Sequence, residues 1–393
     1  MTAWNELALA RLRAPVLDAL AGVPGVWVVG GAVRDALLGR PPRELDLVVE
    51  GDAAAVQAVA RRLGAPLAVH ERFGTATVAG ADVAAARREA YARPGALPDV
   101  TLGATLPEDL ARRDFSVNAL AVRLADGAGA AWPGALEDLE AGVLRVLHPA
   151  SFRDDPTRLL RLARYAARLE FSAEPGTAAL AGEAVATGAV GTVTGSRNGA
   201  ELRLALGEPL PAALLALAEH GIGAAAVHPA YAPDAALAAA ALDAARELGD
   251  ADPGLAALAT ALLDAPRAEL AVVLDHLAFP AGERDALLAA AGARDLAGPL
   301  RAARTASEIA AAARGRAPEA LAVAAALGAQ AAVRRWAAEL RHVRLAITGD
   351  DLLAEGLSGA AVGAGLRAAL AARLDGTAPD RETQIRAALE GVP

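Results

Sequence analysis

The stretch VWVVGGAVRDALLGRPPRELDLVVEGD, from Val26 to Asp52, decides the reading of the chain. An apolar strand over Val26–Val29 runs into Gly30-Gly31, which opens a helix over Ala32–Leu38 carrying Arg34 and Asp35. A Gly39-Arg40-Pro41-Pro42 turn follows, and then Glu44-Leu45-Asp46 at the start of a second apolar strand over Leu45–Val49. Adjacent glycines let backbone N–H groups come close to a phosphate, and a helix N-terminus favours negative charge there. Residues two apart in an extended chain point the same way, so Glu44 and Asp46 would present two carboxylates together. Paired carboxylates beside a phosphate cradle suit metal-assisted phosphoryl or nucleotidyl transfer.

This run resembles the head of class II tRNA nucleotidyltransferases (CCA-adding enzymes) and bacterial poly(A) polymerases, within the DNA polymerase beta superfamily. The family pattern, roughly GGxVRDxLLGRxxxDxDxVxxGD, is followed from Gly30 to Asp52, except that its first metal carboxylate, normally Asp, is Glu44. The resemblance implies that Glu44 and Asp46 are catalytic and hold Mg²⁺, with Asp82 on a neighbouring strand as a candidate third ligand. A solvated strand-end aspartate is the other reading of Asp82. Gly30, Gly31 and Arg34 fall at nucleotide-binding positions.

Three further segments carry the resemblance. Leu110–Ala121, LARRDFSVNALA, matches the family's RRDFTINALA; Arg112 and Arg113 supply donors for triphosphate or ribose, and Asp114 and Asn118 suit the orientation of an arginine or a sugar hydroxyl. Asp154–Phe171, DDPTRLLRLARYAARLEF, spaces Arg158, Arg161 and Arg164 at three-residue steps along one slowly turning helix face. It resembles the neck motif EDxxR followed by LRAxRFAAxLxF. By that resemblance Asp155 and Arg158 read the incoming base through Watson–Crick-like hydrogen bonds, and Arg161 and Arg164 face the triphosphate. Ser196–Leu206, SRNGAELRLAL, resembles the RxxxEL helix, with Arg197 and Glu201 as a structural brace. The motif DxxGGxxDLxxxxLR survives only as Gly134, Asp138-Leu139 and Leu144-Arg145, where Asp138 is either a brace or a surface residue. Ala86–Val100 resembles a segment that includes a mobile loop in the family, and Ile347–Gly376 resembles the tail that packs near the tRNA elbow. The likeness is strong over about residues 24–206 and weak beyond.

Composition sets the frame. With 393 residues the chain can build two or three domains. Hydrophobic residues reach 54% but aromatics only 3%, so alanine-rich helical layers are expected rather than a bulky core. There is no cysteine, hence no disulfide framework or thiolate metal site. The net charge of -9 argues against a chain that binds nucleic acid over its whole surface, but leaves room for a local basic groove. All 38 basic residues are arginine, so every side-chain phosphate contact by a fixed cation uses a guanidinium. No apolar run has the length of a membrane span and no signal-peptide pattern opens the chain; a cytoplasmic protein is expected. The six histidines form no HxH or HExxH pattern.

Strand signals over Val26–Val29, Leu45–Val49, Leu67–His70, Thr75–Val78, Ala81–Ala84 and Ala119–Arg123 alternate with helices over Ala32–Leu38 and Ala53–Leu63, after a single entry helix over residues 2–21. Beyond Pro149 helices dominate. The expected fold is therefore α+β: an α/β nucleotidyltransferase head over 1–147, a helical neck for nucleotide selection over 148–207, and a helical body and tail for tRNA over 208–393. The implied activity is addition of C and/or A to the tRNA 3′ end from CTP and ATP with Mg²⁺ as cofactor. The alternatives are a poly(A) polymerase of the same family and an inactive RNA-binding homologue.

Overall fold

The computed structural model describes residues 3–64, 68–70 and 74–392. They group into two compact units, one running to Glu201 together with His220–Ile222, the other comprising Leu202–Glu219 and the chain from Gly223.

The first unit begins with α1 (Trp4–Arg11) and α2 (Pro15–Leu20) where one entry helix was expected. Pro15 explains the break: its ring disfavours helical backbone at the residue before it, and Ala14 is extended at φ -152°, ψ 136°. There follow β1 (Val26–Val29), α3 (Gly31–Leu37), β2 (Asp46–Val49), α4 (Ala53–Leu63), β3 (Ala68–His70), β4 (Thr75–Val78) and β5 (Ala81–Ala85). Next come β6 (Arg87–Ala90), β7 (Asp99–Leu102), α5 (Leu106–Ala111), β8 (Leu120–Arg123) and β9 (Gly129–Ala131). Leu67, expected to open the third strand, lies outside the described residues.

Seven strands form one sheet in the order β3-β4-β5-β2-β1-β8-β9. Only the β2–β5 pair among them is parallel; it sets Asp46 opposite Asp82. β1, VWVV, is buried along its whole length, as a continuous apolar run in mid-sheet requires. Asp52, which closes the opening motif, caps α4 by accepting from the backbone N–H groups of Ala54 and Ala55 at 3.0 and 3.2 Å.

Composition gave no warning of two features. β6 and β7 pair as an antiparallel hairpin, with Arg87 opposite Leu102 and Ala90 opposite Asp99. The sequence RREA lacks the alternating apolar pattern that marks a strand. β9 is three small residues held on the edge of the sheet by β8.

The unit continues through α6 (Ala135–Ala141), β10 (Val143–Leu144), α7 (Ser151–Asp154), α8 (Thr157–Leu169), β11 (Ser172–Ala173), α9 (Pro175–Ala186) and α10 (Gly195–Leu206). β10 and β11 pair in parallel. Asp138 is buried, accepting from Ser116 Oγ at 2.6 Å and from Arg145 Nε at 3.0 Å, while Arg145 also pairs with Glu174 at 3.2 Å. It ties the segment before the neck to α9, the bracing option for this residue. The unit boundary falls within α10.

The second unit is helical among its described residues, from Ala212–Ala218 to Arg381–Glu390. Ala256, Ala257, Ala259, Ala322 and Ala324 are fully enclosed, which allows close approach of helices. The tail has its own small core of Ile347, Leu352, Ala369 and Ala388. Among the described residues no helix is long and apolar enough to cross a membrane.

Candidate functional site

Asp46 and Asp82, neighbours across the β2–β5 pair, both line a cavity of about 570 Å³ in the first unit. Thr77 Oγ1 donates to Asp82 Oδ1 at 2.6 Å, which fixes that carboxylate. Glu44 lies in the bend before β2, exposed and outside the cavity lining, so the structure does not gather all three carboxylates along one wall. Its charge still reaches Asp46. Burial pushes the Asp46 carboxyl above its ordinary value; the nearby Arg113 guanidinium opposes this, and the Glu44 and Asp82 carboxylates add to it. Among the described residues no three His, Cys, Asp or Glu side chains form a ready metal cage. A pair of adjacent carboxylates nonetheless fits a divalent cation such as Mg²⁺, which is usually held by one or two carboxylates plus substrate phosphates.

The glycine pair lies at the turn from β1 into α3. Gly30 adopts φ +69°, and a Cβ there would stand 2.5 Å from the Arg113 Nη1. The positive φ favours glycine, and a side chain there would displace the Arg113 guanidinium. Gly31 lines the cavity, whereas Gly30 and Arg34 do not. Arg34 is 1% exposed, donating to Asn118 Oδ1 and, at 2.9 and 2.7 Å, to Asp35 Oδ1. Arg168 closes this lock by donating to Asp35 Oδ2 at 2.9 Å. Arg34 thus acts as a buried strut rather than a contact surface.

The segment after α5 is organised by Asp109, which has no solvent exposure. Arg112 donates to it at 3.0 Å and Arg113 at 3.2 Å. Burial would raise the Asp109 carboxyl, but these two guanidinium charges outweigh it and hold the group below its ordinary range. Asp114 is the second hub. Its Oδ1 accepts from Phe115 N at 2.8 Å and Asn118 Nδ2 at 2.9 Å; its Oδ2 accepts from Arg161 Nε at 2.8 Å and pairs with Arg161 Nη2 at 2.6 Å. Burial again pushes the carboxyl up, and the Arg161 charge with the Asn118 and Arg161 hydrogen bonds more than reverses it, leaving Asp114 far below the usual carboxylate range.

The arginine stripe sits on α8. Arg158 and Arg161 line the cavity, and Arg164 does not. Arg158 donates to Ser151 Oγ and to the Arg112 carbonyl, both at 2.6 Å. Arg164 pairs with Glu201 at 3.4 Å. Tyr165 sits among Arg34, Arg161 and Arg164, whose guanidinium carbons lie 5.2, 5.6 and 4.8 Å from its ring centre. Asp155 Oδ1 accepts from Thr157 Oγ1 at 2.7 Å and from Arg197 Nη2 at 2.9 Å.

Arg197 and Glu201, expected as a brace, both line the cavity, as do Arg87, Glu89, Tyr91 and Tyr165, to which sequence reasoning assigned no role. Glu89 takes Arg87 at 3.0 Å and Arg112 at 3.1 Å, and Tyr91 Oη donates to it at 3.0 Å. Burial, then the Glu89 charge, pushes the Tyr91 hydroxyl up to about 12. The signal for Arg87, Glu89 and Tyr91 was the likeness of Ala86–Val100 to a family segment, and for Tyr165 its place in the Asp154–Phe171 motif; neither named an individual role.

Residues 26–145 match the family described as the poly A polymerase head domain. The A-adding tRNA nucleotidyltransferase of Halalkalibacterium halodurans is 44% identical over 197 residues, covering 47% of this chain and 46% of that protein. The CC-adding tRNA nucleotidyltransferase of Deinococcus radiodurans is 47% identical over 193 residues, covering 47% and 50%. The matched stretch thus spans about half the length of these curated relatives. Over the whole chain, a CCA-adding enzyme in apo form superposes with a TM-score of 0.85 at 28% identity, covering 98% of both chains. The Thermotoga maritima CCA-adding enzyme complexed with tRNA gives 0.78 at 26% identity, covering 98% of this chain and 97% of that one. A CCA-adding enzyme complexed with ATP gives 0.81 at 27%, covering 97% and 94%.

Proposed function

We propose, for a chain whose residues 26–145 carry a poly A polymerase head domain, that the protein is a template-independent tRNA nucleotidyltransferase adding C and/or A to the tRNA 3′ end from CTP and ATP. One observation carries the reading: a single cavity is lined by the Asp46–Asp82 pair, by Arg112, Arg113 and Asn118, and by Asp155, Arg158 and Arg161. Carboxylates for a divalent cation, guanidinium groups for a triphosphate and a base-sized donor–acceptor pair are the parts such a transfer needs. The relatives and structural neighbours named above support the substrate class.

In this reading Asp46 and Asp82, with Glu44 just before β2, would hold Mg²⁺. A bound metal there would supply Lewis acidity for attack by a 3′-hydroxyl on the α-phosphorus and charge neutralisation for pyrophosphate. Arg112 and Arg113, anchored on Asp109, grip triphosphate and sugar. Asp114 holds Arg161 toward the phosphates. Asp155 accepts from an exocyclic amine and Arg158 donates to a ring nitrogen or carbonyl. The helical second unit supplies tRNA contacts, and the reaction belongs to the cytoplasm, where tRNA is.

A specific observation keeps a second reading in view. Glu44 stands outside the cavity lining, which suits an RNA-binding homologue that has lost metal chemistry. Purified protein with tRNA lacking CCA, labelled CTP, ATP or both, and Mg²⁺ separates the readings on a sizing gel. Extension by one to three nucleotides is expected. A long ladder with ATP alone indicates a poly(A) polymerase, and no extension under any mixture favours the inactive homologue.

A further inference from the structure

Arg197 occupies a position that a mere brace would not need. Its guanidinium is held at both ends: Nη1 donates to the Gly95 carbonyl at 3.1 Å and Nη2 to Asp155 Oδ1 at 2.9 Å. Gly95 packs closely on Thr192: a Cβ on it would stand 2.3 Å from Thr192 Oγ1 and 2.7 Å from the Thr192 carbonyl. Thr157 adds two donors to the same Asp155 oxygen, from its backbone N–H at 3.2 Å and its hydroxyl at 2.7 Å. Asp155 Oδ1 therefore carries three hydrogen bonds, and no described residue donates one to Oδ2.

That asymmetry has a consequence for the cavity, which Asp155 and Arg197 both line. A carboxylate with one oxygen clamped cannot rotate freely, so its second oxygen is presented in a defined direction as a pure acceptor. We propose that Arg197 is a positioning residue for nucleotide selection, fixing Asp155 so that Oδ2 accepts from an amino-bearing base and repels an oxo-bearing one. Cytosine and adenine offer an exocyclic amine at the position where uracil and guanine offer a carbonyl. Arg197 acts through Asp155 and touches no base itself. The next turn of α10 repeats the logic with opposite sign: Glu201 pairs with Arg161 at 3.3 Å and with Arg164 at 3.4 Å. The inference rests on the nucleotidyltransferase reading in taking a nucleotide as the ligand and Asp155 as the residue that meets its base.

Equilibrium binding of CTP, UTP, ATP, GTP and inorganic tripolyphosphate to the full-length wild type, Arg197→Met and Arg197→Lys, with thermal unfolding midpoints alongside, tests it. Wild type should favour CTP over UTP, or ATP over GTP, by at least about tenfold. Arg197→Met should collapse that ratio to within about threefold, with tripolyphosphate affinity and unfolding midpoint kept. Arg197→Lys, which retains the charge but not the planar two-ended fork, should fall between. Should Arg197→Met fail to fold, the Arg197→Lys ratio alone decides: one equal to wild type overturns the proposal. So does a wild type indifferent to the base, a full ratio in Arg197→Met, or an equal fall for all five ligands. A wild type that prefers amino-bearing bases yet extends no RNA would instead sink the enzymatic reading and leave this one standing.

Discussion

Asp46 and Asp82 stand opposite one another in parallel register on β2 and β5 and line the same cavity, while Glu44, two residues before Asp46, does not. The carboxylate pair that the folded protein brings together is thus not the pair adjacent in sequence. Asp46 is the member common to both. Asp46→Asn should reduce nucleotide transfer by at least about 10²-fold, the scale of losing a charge-stabilising group at a reacting centre. Because burial and the neighbouring carboxylates disfavour its charge, the same change should leave the unfolding midpoint of the metal-free protein equal or higher. Glu44→Ala should also abolish extension while tRNA binding persists. Labelled-primer extension, filter binding and a thermal melt read all three.

Gly30 and Gly31 should answer differently to alanine. Gly30 has φ +69° and would drive a Cβ to 2.5 Å from the Arg113 Nη1, whereas a Cβ at Gly31 meets Arg34 Nη2 at an ordinary 3.4 Å. Gly30→Ala should cost about 1–2 kcal/mol of stability from backbone strain and weaken triphosphate binding by displacing Arg113. Gly31→Ala should cost less in both. Paired urea titrations and nucleotide affinities check the contrast.

Asp114 sets an acid limit on stability. Its folded carboxyl lies below the unfolded value of 3.8, so its contribution is complete above that value and lost as pH falls through the folded one. Asp114→Asn should lower stability near neutral pH by roughly 2–4 kcal/mol, since Arg161 loses a buried partner. Urea midpoints followed from about pH 6 down to pH 2 should fall less steeply for the variant than for wild type. Parallel curves would refute the assignment.

Arg158 is held by Ser151 Oγ and by the Arg112 carbonyl. Ser151→Ala removes one anchor without touching the cavity surface. The expected effect is a loss of nucleotide discrimination larger than the loss of tRNA affinity, as for Asp155→Ala. The ratio of CTP to UTP incorporation, set beside tRNA binding, decides it.

Arg34 is fully enclosed by Asp35, Asn118 and Tyr165. Arg34→Met leaves Asp35, among the described side chains, with Arg168 as its partner and should destabilise by about 3–5 kcal/mol. Arg34→Lys should rescue little, because one ammonium cannot donate along both directions that the guanidinium serves. Thermal melts of the two variants give the comparison.

Much of this was readable along the chain because the interactions that specify it are local. β1 is a continuous apolar run, the Gly30-Gly31 pair marks the strand-to-helix turn, Asp52 caps α4, and the α8 arginines recur at helical spacing. Adjacent residues sufficed for those. Tertiary structure alone decided the rest. Pairing of β2 with β5 joined Asp46 to Asp82 and left Glu44 outside, a matter of register between strands more than thirty residues apart. The charged strand β6, RREA, carried no apolar alternation, so Glu89 and Tyr91 gained a role only when the chain closed around them. Arg34 and Arg164, which look like surface cations in sequence, were drawn inside because Asp35 and Glu201 waited there. Charge pattern along a chain names the partners that are possible; burial and distance in the folded state select among them.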